Sequence, residues 1–143
     1  MKRIEAEFRR SDHLLYVSLK YTKTADVIRN IIARWSSTIE LGVERLLMRA
    51  KRKKKIKQIP VAPLAKTELL LKIDKNKIVK ETITLYLFFR RLKDLKQMRM
   101  HEFRKNVALL VIDDKKEINI DIPKLYEWNE KLKEFIEYVR EKI

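Results

Sequence analysis

TADVIRNIIARWSSTIELGVERLLMRA, residues 24–50, decides the fold. Its apolar residues Val27, Ile28, Ile31, Ile32, Trp35, Ile39, Val43, Leu46, Leu47 and Ala50 recur at the i, i+3, i+4, i+7 spacing. That spacing places them on one stripe of an α-helix for about seven turns, so the segment packs one face on a core. Thr22 or Thr24 supplies a side-chain oxygen to cap its first turn.

Reading toward the N-terminus, Met1–Phe8 alternates weakly and suits a short strand or a helical lead-in. Ser11-Asp12 offers an N-cap for a first helix that carries Leu14, Leu15, Val17 and Leu19. Toward the C-terminus, Pro60 and Pro63 remove backbone donors and push their predecessors to extended conformations, which ends the long helix before them. Leu64–Ile73 is short and helical in pattern, and Asp74-Lys75-Asn76-Lys77 is a turn in which Asp74 or Asn76 caps the next helix. Residues 78 to about 100 read as that second long helix, apolar nearly all round in its middle.

Residues 107–112, VALLVI, are β-branched and apolar, and 117–121, EINID, alternate after the turn Asp113-Asp114-Lys115-Lys116. Strand, turn and alternating strand predict a β-hairpin. Asp121 or Ile122 with Pro123 then opens a last helix whose stripe is Leu125, Trp128, Leu132, Phe135, Ile136, Val139 and Ile143. The expected fold is mainly α: an antiparallel bundle of four to five helices with one hairpin at about 107–120, all in one domain spanning 1–143.

Composition excludes much of known enzymology. The 143 residues include no Cys, hence no disulfide scaffold, thiolate metal site or cysteine nucleophile. A single glycine, Gly42, leaves no P-loop and no Gly-rich dinucleotide turn. No cofactor and no metal site is implied. No apolar run of about 18 residues suits a membrane span, and Met1–Arg10 carries charges of both signs, unlike a signal peptide. A cytoplasmic protein without membrane contact is expected, and Lys/Arg/Glu/Ile-rich usage points to a thermophilic, archaeal type of source.

The formal charge is +15, from 35 Lys and Arg against 20 Asp and Glu, and it is concentrated. Between Arg49 and Lys57, seven of nine residues are basic: Arg49, Lys51, Arg52, Lys53, Lys54, Lys55 and Lys57. A second stretch comprises Arg90, Arg91, Lys93, Lys96, Arg99, Arg104 and Lys105, offset by Asp94 and Glu102. Such acid-poor runs suit phosphate contacts, where each neutralised phosphate releases a counterion. The expected partner is a nucleic acid, RNA before DNA, or an acidic protein surface. The aromatics Trp35, Phe88, Phe89, Trp128 and Phe135 fall on core stripes. Tyr16, Tyr21, Phe103 and Tyr126 do not, and any base stacking falls to them.

Catalytic chemistry has few candidates. His13 follows Asp12 at the start of the first expected helix, and His101 precedes Glu102 and Arg104 at the end of the fourth. If those two helices are antiparallel neighbours, the clusters meet. A histidine, an acid and an arginine then suffice for metal-independent RNA cleavage. Capping and helix-dipole interactions explain the same residues without catalysis, so a non-enzymatic role is the leading reading.

A helical bundle with a basic stretch before His101 resembles the HEPN superfamily, whose signature is an Arg, four to six residues, then a His. Here Lys96-x4-His101 is the matching spacing, with lysine where the family has arginine. The resemblance implies an RNase or a toxin–antitoxin component acting through His101.

Overall fold

The computed structural model describes all 143 residues. Helix α1 (Lys2–His13) continues through a π-helical turn (Leu14–Ser18) into the short α2 (Leu19–Tyr21), making one rod. The long helix α3 (Ala25–Arg52) comes next, then α4 (Pro63–Ile73) and α5 (Lys77–Arg91). A 3-10 turn at Leu92–Asp94 leads to strands β1 (Lys96–Met100), β2 (Ala108–Asp113) and β3 (Lys116–Asp121), and α6 (Ile122–Lys142) closes the chain. Five helical rods and a hairpin before the last helix are the architecture read from the sequence. No helix is long and apolar enough to cross a membrane.

The caps are where turn chemistry places them. Thr24 Oγ1 accepts from Val27 N–H at 3.4 Å, Asn76 Oδ1 from Ile78 N–H at 2.8 Å, and Asp121 Oδ1 from Lys124 N–H at 3.0 Å. Each satisfies a backbone donor that the first helical turn leaves without a partner. Two expectations are corrected. Ser11 does not cap a helix: it lies inside a rod that begins at Lys2, where its buried hydroxyl donates to the Phe8 carbonyl at 2.6 Å. The helix expected over 78–100 stops at Arg91, and beyond the 3-10 turn its last five residues are β1. Strand β2 runs through the core and needs a ladder on both edges. Lys96↔Ile112 through Met100↔Ala108 supply one side, and Ala108↔Asp121 through Asp113↔Lys116 the other.

Helix directions follow from side-chain neighbours along α3. Helix α5 is antiparallel to it: Tyr86 donates to Glu40 at 2.9 Å, Phe89 stacks near Trp35, and Arg29 donates to Gln97 at 2.9 Å. Helix α6 is parallel, with Trp128 against Trp35 and Phe135 against Gly42. The α1 rod returns antiparallel, with Glu7 opposite Arg34 and Glu5 paired to Arg140 at 2.9 Å. Trp35, Ile39, Leu47, Ile83, Leu109, Leu132 and Phe135 are fully buried in the continuous core these elements enclose. The C-termini of α3 and α6 therefore share one end of the bundle. The sheet occupies the other, about 40 Å away at 1.5 Å per helical residue.

Candidate nucleic-acid interface

The basic end is built by how α3 terminates. Lys55 N–H donates to the Ala50 carbonyl at 2.9 Å and Lys54 N–H to that of Lys51 at 3.0 Å, the paired 6→1 and 5→2 bonds of a Schellman motif. The residue after the cap is left-handed in this motif, a position suited to glycine, and here it is Lys54 with φ 63°. Ile56 and Ile59 turn back onto the core, while Lys51–Lys55 and Lys57 stay exposed. A lysine thus occupies a backbone site where a side chain is unfavourable, in the middle of a cationic run. Lys54→Gly is expected to raise stability by about 0.5–1 kcal/mol, the left-handed penalty less the added freedom of the unfolded chain. Urea unfolding measures it, and a lower midpoint for the variant would contradict the assignment.

None of the seven cations from Arg49 to Lys57 enters an ion pair. Instead they crowd one another. Lys53 is held below the ordinary lysine range by Arg49 first, then by partial desolvation, Lys55, Lys142 and Arg52. Lys142, from the last turn of α6, was not evident from sequence, because its proximity depends on α3 and α6 running parallel. Its ammonium stands 5.5 Å from the centre of the Tyr138 ring. The α3 dipole favours cations in its last turn. It acts on Arg49, Lys51 and Arg52 within the helix, not on Lys55 and Lys57 beyond it.

The second basic stretch lies at the opposite end and is partly neutralised. Arg99 grips Asp26 at 3.0 and 3.2 Å and Glu102 at 3.4 Å. Arg91 pairs with Asp113 at 3.0 Å, and Arg90 donates to Tyr86 Oη at 3.3 Å. Lys93, Lys96 and Arg104 remain without ion pairs. The two stretches therefore do not form one continuous footprint. No family model matches the chain, and no curated protein and no solved structure proved similar to it. Its function must be read from these residues.

The Arg99 guanidinium holds the Asp26 carboxyl below the usual carboxylate range. A carboxyl lowered in the folded state adds stability above its ordinary range, and that stability is lost as pH falls through it. Asp26→Asn is therefore expected to flatten the stability–pH curve below about pH 5 and leave neutral pH less affected. Thermal unfolding of both proteins across pH reads this directly; parallel acid limbs would contradict it.

The catalytic candidates do not come together. His13 lies at the end of α1, not the start of a helix, among Arg9, Arg10 and Arg34. Asp12 precedes it inside the same helix. His101 follows β1 in a left-handed turn with φ 51°, so it has no helix C-terminus to interact with. The carboxylate of Glu102 accepts from Ala25 N–H at 3.0 Å as well as from Arg99, a structural role at the start of α3. Arg104 is exposed and its N–H donates to the His101 carbonyl at 3.2 Å. Lys96 opens the five-residue strand that His101 follows, and the two stand roughly 16 Å apart at 3.3 Å per residue. No group of three or more His, Asp or Glu side chains is placed to hold a metal ion.

One concavity escaped the sequence reading. A cleft of about 580 Å³ between α1 and α3 is lined by Arg3, Glu7, Arg10, Ser37, Glu40, Glu44 and Lys66. Four of its six charges are paired, Lys66 with Glu44 at 2.8 Å and Glu7 with Arg10, and Glu40 accepts from Tyr86. Glu40 and Glu44 at i, i+4 were the only signal for it in the sequence.

Proposed function

We propose that the protein binds nucleic acid, RNA before DNA, through phosphate contacts at the Arg49–Lys57 end, as a non-enzymatic part of a larger assembly. The observation that carries this reading is a run of seven cations with no carboxylate among their ion-pair partners, close enough together that Arg49 and its neighbours hold Lys53 below the ordinary lysine range. Like charges held this close destabilise the fold, and a polyanion reverses the sign of that interaction. Five of the seven are lysines, compact point charges on flexible stems that meet phosphate without the fixed fork of arginine. Affinity of this kind is largely independent of sequence and strongly dependent on salt.

The experiment is titration of a single-stranded RNA into the protein and into its Lys53→Gln/Lys54→Gln/Lys55→Gln variant across a range of salt. Weaker binding and a shallower salt dependence in the variant support the reading. Equal curves overturn it. Binding of an acidic polypeptide in preference to RNA would reassign the same end to a protein partner.

A further inference from the structure

The sheet end carries chemistry that the basic end lacks. The four aromatic side chains that are exposed are Tyr16, Tyr21, Phe103 and Tyr126, with Tyr21 at 79% and Phe103 at 77%. All four lie at this end. Asp121 pairs with Ala108 and Ala108 with Met100, so the start of α6, with Tyr126, is level with the turn that follows Met100. Tyr16 stacks on Tyr126 with ring centres 5.4 Å apart and planes 13° from parallel. Phe103 N–H donates to the carbonyl of Lys23 at 2.6 Å, two residues past Tyr21.

The turn that presents Phe103 is held firmly and at a cost. His101 and Phe103 both have left-handed backbones, φ 51° and 66°. Between them Glu102 points inward and is fixed by Ala25 N–H and Arg99. A bulky residue rarely adopts that conformation, and core packing does not call for it where three quarters of the ring is in solvent. Cations border the rings: the Lys20 ammonium is 5.9 Å from the centre of Tyr21, and Arg104 and Lys105 follow Phe103 without ion pairs. Flat exposed rings alternating with free cations match the two faces of an unpaired nucleotide, base and phosphate. Protein-docking surfaces are also rich in aromatic and arginine side chains but poor in lysine, and two of the three flanking cations, Lys20 and Lys105, are lysines.

We propose that the sheet end is a second binding site, a platform for unpaired bases of single-stranded nucleic acid. Tyr21 and Phe103 stack on bases, and Lys20, Arg104 and Lys105 meet the phosphates. The site goes beyond the phosphate-binding role of the basic end and does not depend on it, being about 40 Å distant.

The test compares a dodecameric oligouridylate with an abasic strand of equal length. Tyr21→Ala and Phe103→Ala are each expected to weaken oligouridylate binding about tenfold and to leave the abasic strand unchanged. Phe103→Leu, which keeps an apolar side chain but no ring, is expected to behave as Phe103→Ala. Phe103→Gly relieves the backbone and is expected to melt higher while binding oligouridylate no better than Phe103→Ala. Full affinity in Phe103→Leu would overturn the proposal in favour of a protein-docking surface, as would equal losses for both strands. Lys53→Gln/Lys54→Gln/Lys55→Gln should lower affinity for the abasic strand and preserve the preference for bases. Absence of that preference with salt-dependent binding intact sinks the platform alone; its persistence without such binding supports the platform while sinking the phosphate reading.

Discussion

Gly42→Val is expected to destabilise the protein by at least about 3 kcal/mol, the largest stability effect of any single substitution proposed. Gly42 is the chain's one glycine and sits where α3 meets α6. A Cβ there would press against Phe135 Cε2, lie 2.8 Å from Phe135 Cζ and lie 3.4 Å from Val139 Cγ2. Phe135 and Val139 are both fully buried, so the ring has no solvent side to retreat to. Alanine recovers about 1 kcal/mol of helix propensity against an overpacking penalty of about 1–3 kcal/mol, and Gly42→Ala should cost about 0–2 kcal/mol net. Valine adds two methyl groups with no such recovery. Urea unfolding of the two variants gives both numbers. Gly42→Val with an unchanged midpoint would show that the helices do not cross at this residue.

Removing three charges at the basic end is expected to act in opposite directions on binding and stability. Counterion release vanishes near 1 M salt and contributes about 0.7–0.9 log units per contacted phosphate for each tenfold dilution. Three lost contacts therefore weaken binding on the order of 100-fold at 0.15 M salt. The same substitutions, Lys53→Gln, Lys54→Gln and Lys55→Gln, dissolve the crowding that holds Lys53 below its ordinary range, so the unbound variant should melt higher. The sign is fixed by linkage. A lysine lowered in the folded state is destabilising while charged, and that penalty fades as pH rises through its folded value. Added salt should mimic the variant, raising the melting temperature and reducing affinity. A variant that both melts lower and binds less well would mean that these lysines stabilise the fold.

Where periodicity and capping chemistry agreed, the sequence was a sound guide. The stripe from Val27 to Ala50 and the hairpin expected at about 107–120 are present, and of each pair of cap candidates it is Thr24, Asn76 and Asp121 that cap. Strand β1 was hidden because Lys-Gln-Met-Arg-Met has no β-forming signature of its own. It is extended because buried β2 requires a second edge, a tertiary demand that overrides local propensity. Ser11 misled for a related reason: a serine that starts a helix and one that bonds back to a carbonyl within it look alike in one dimension.

The candidate site divided along the same line. Which residues were charged was plain, but their partners were not. Arg91 and Arg99 looked equivalent to Arg52 until Asp113, Asp26 and Glu102 closed on them. Helix direction then separated the two basic stretches to opposite ends of α3 and brought Lys142 beside the first. It also gathered Tyr21 and Phe103, far apart in the chain, at one end of the bundle.

The salt dependence of single-stranded RNA binding tests the central claim most directly. Plotted as log affinity against log salt, the slope should fall in magnitude by about 2 between the protein and its Lys53→Gln/Lys54→Gln/Lys55→Gln variant, at about 0.7 per phosphate released. Superimposable slopes would contradict the claim that Arg49–Lys57 is where phosphates bind.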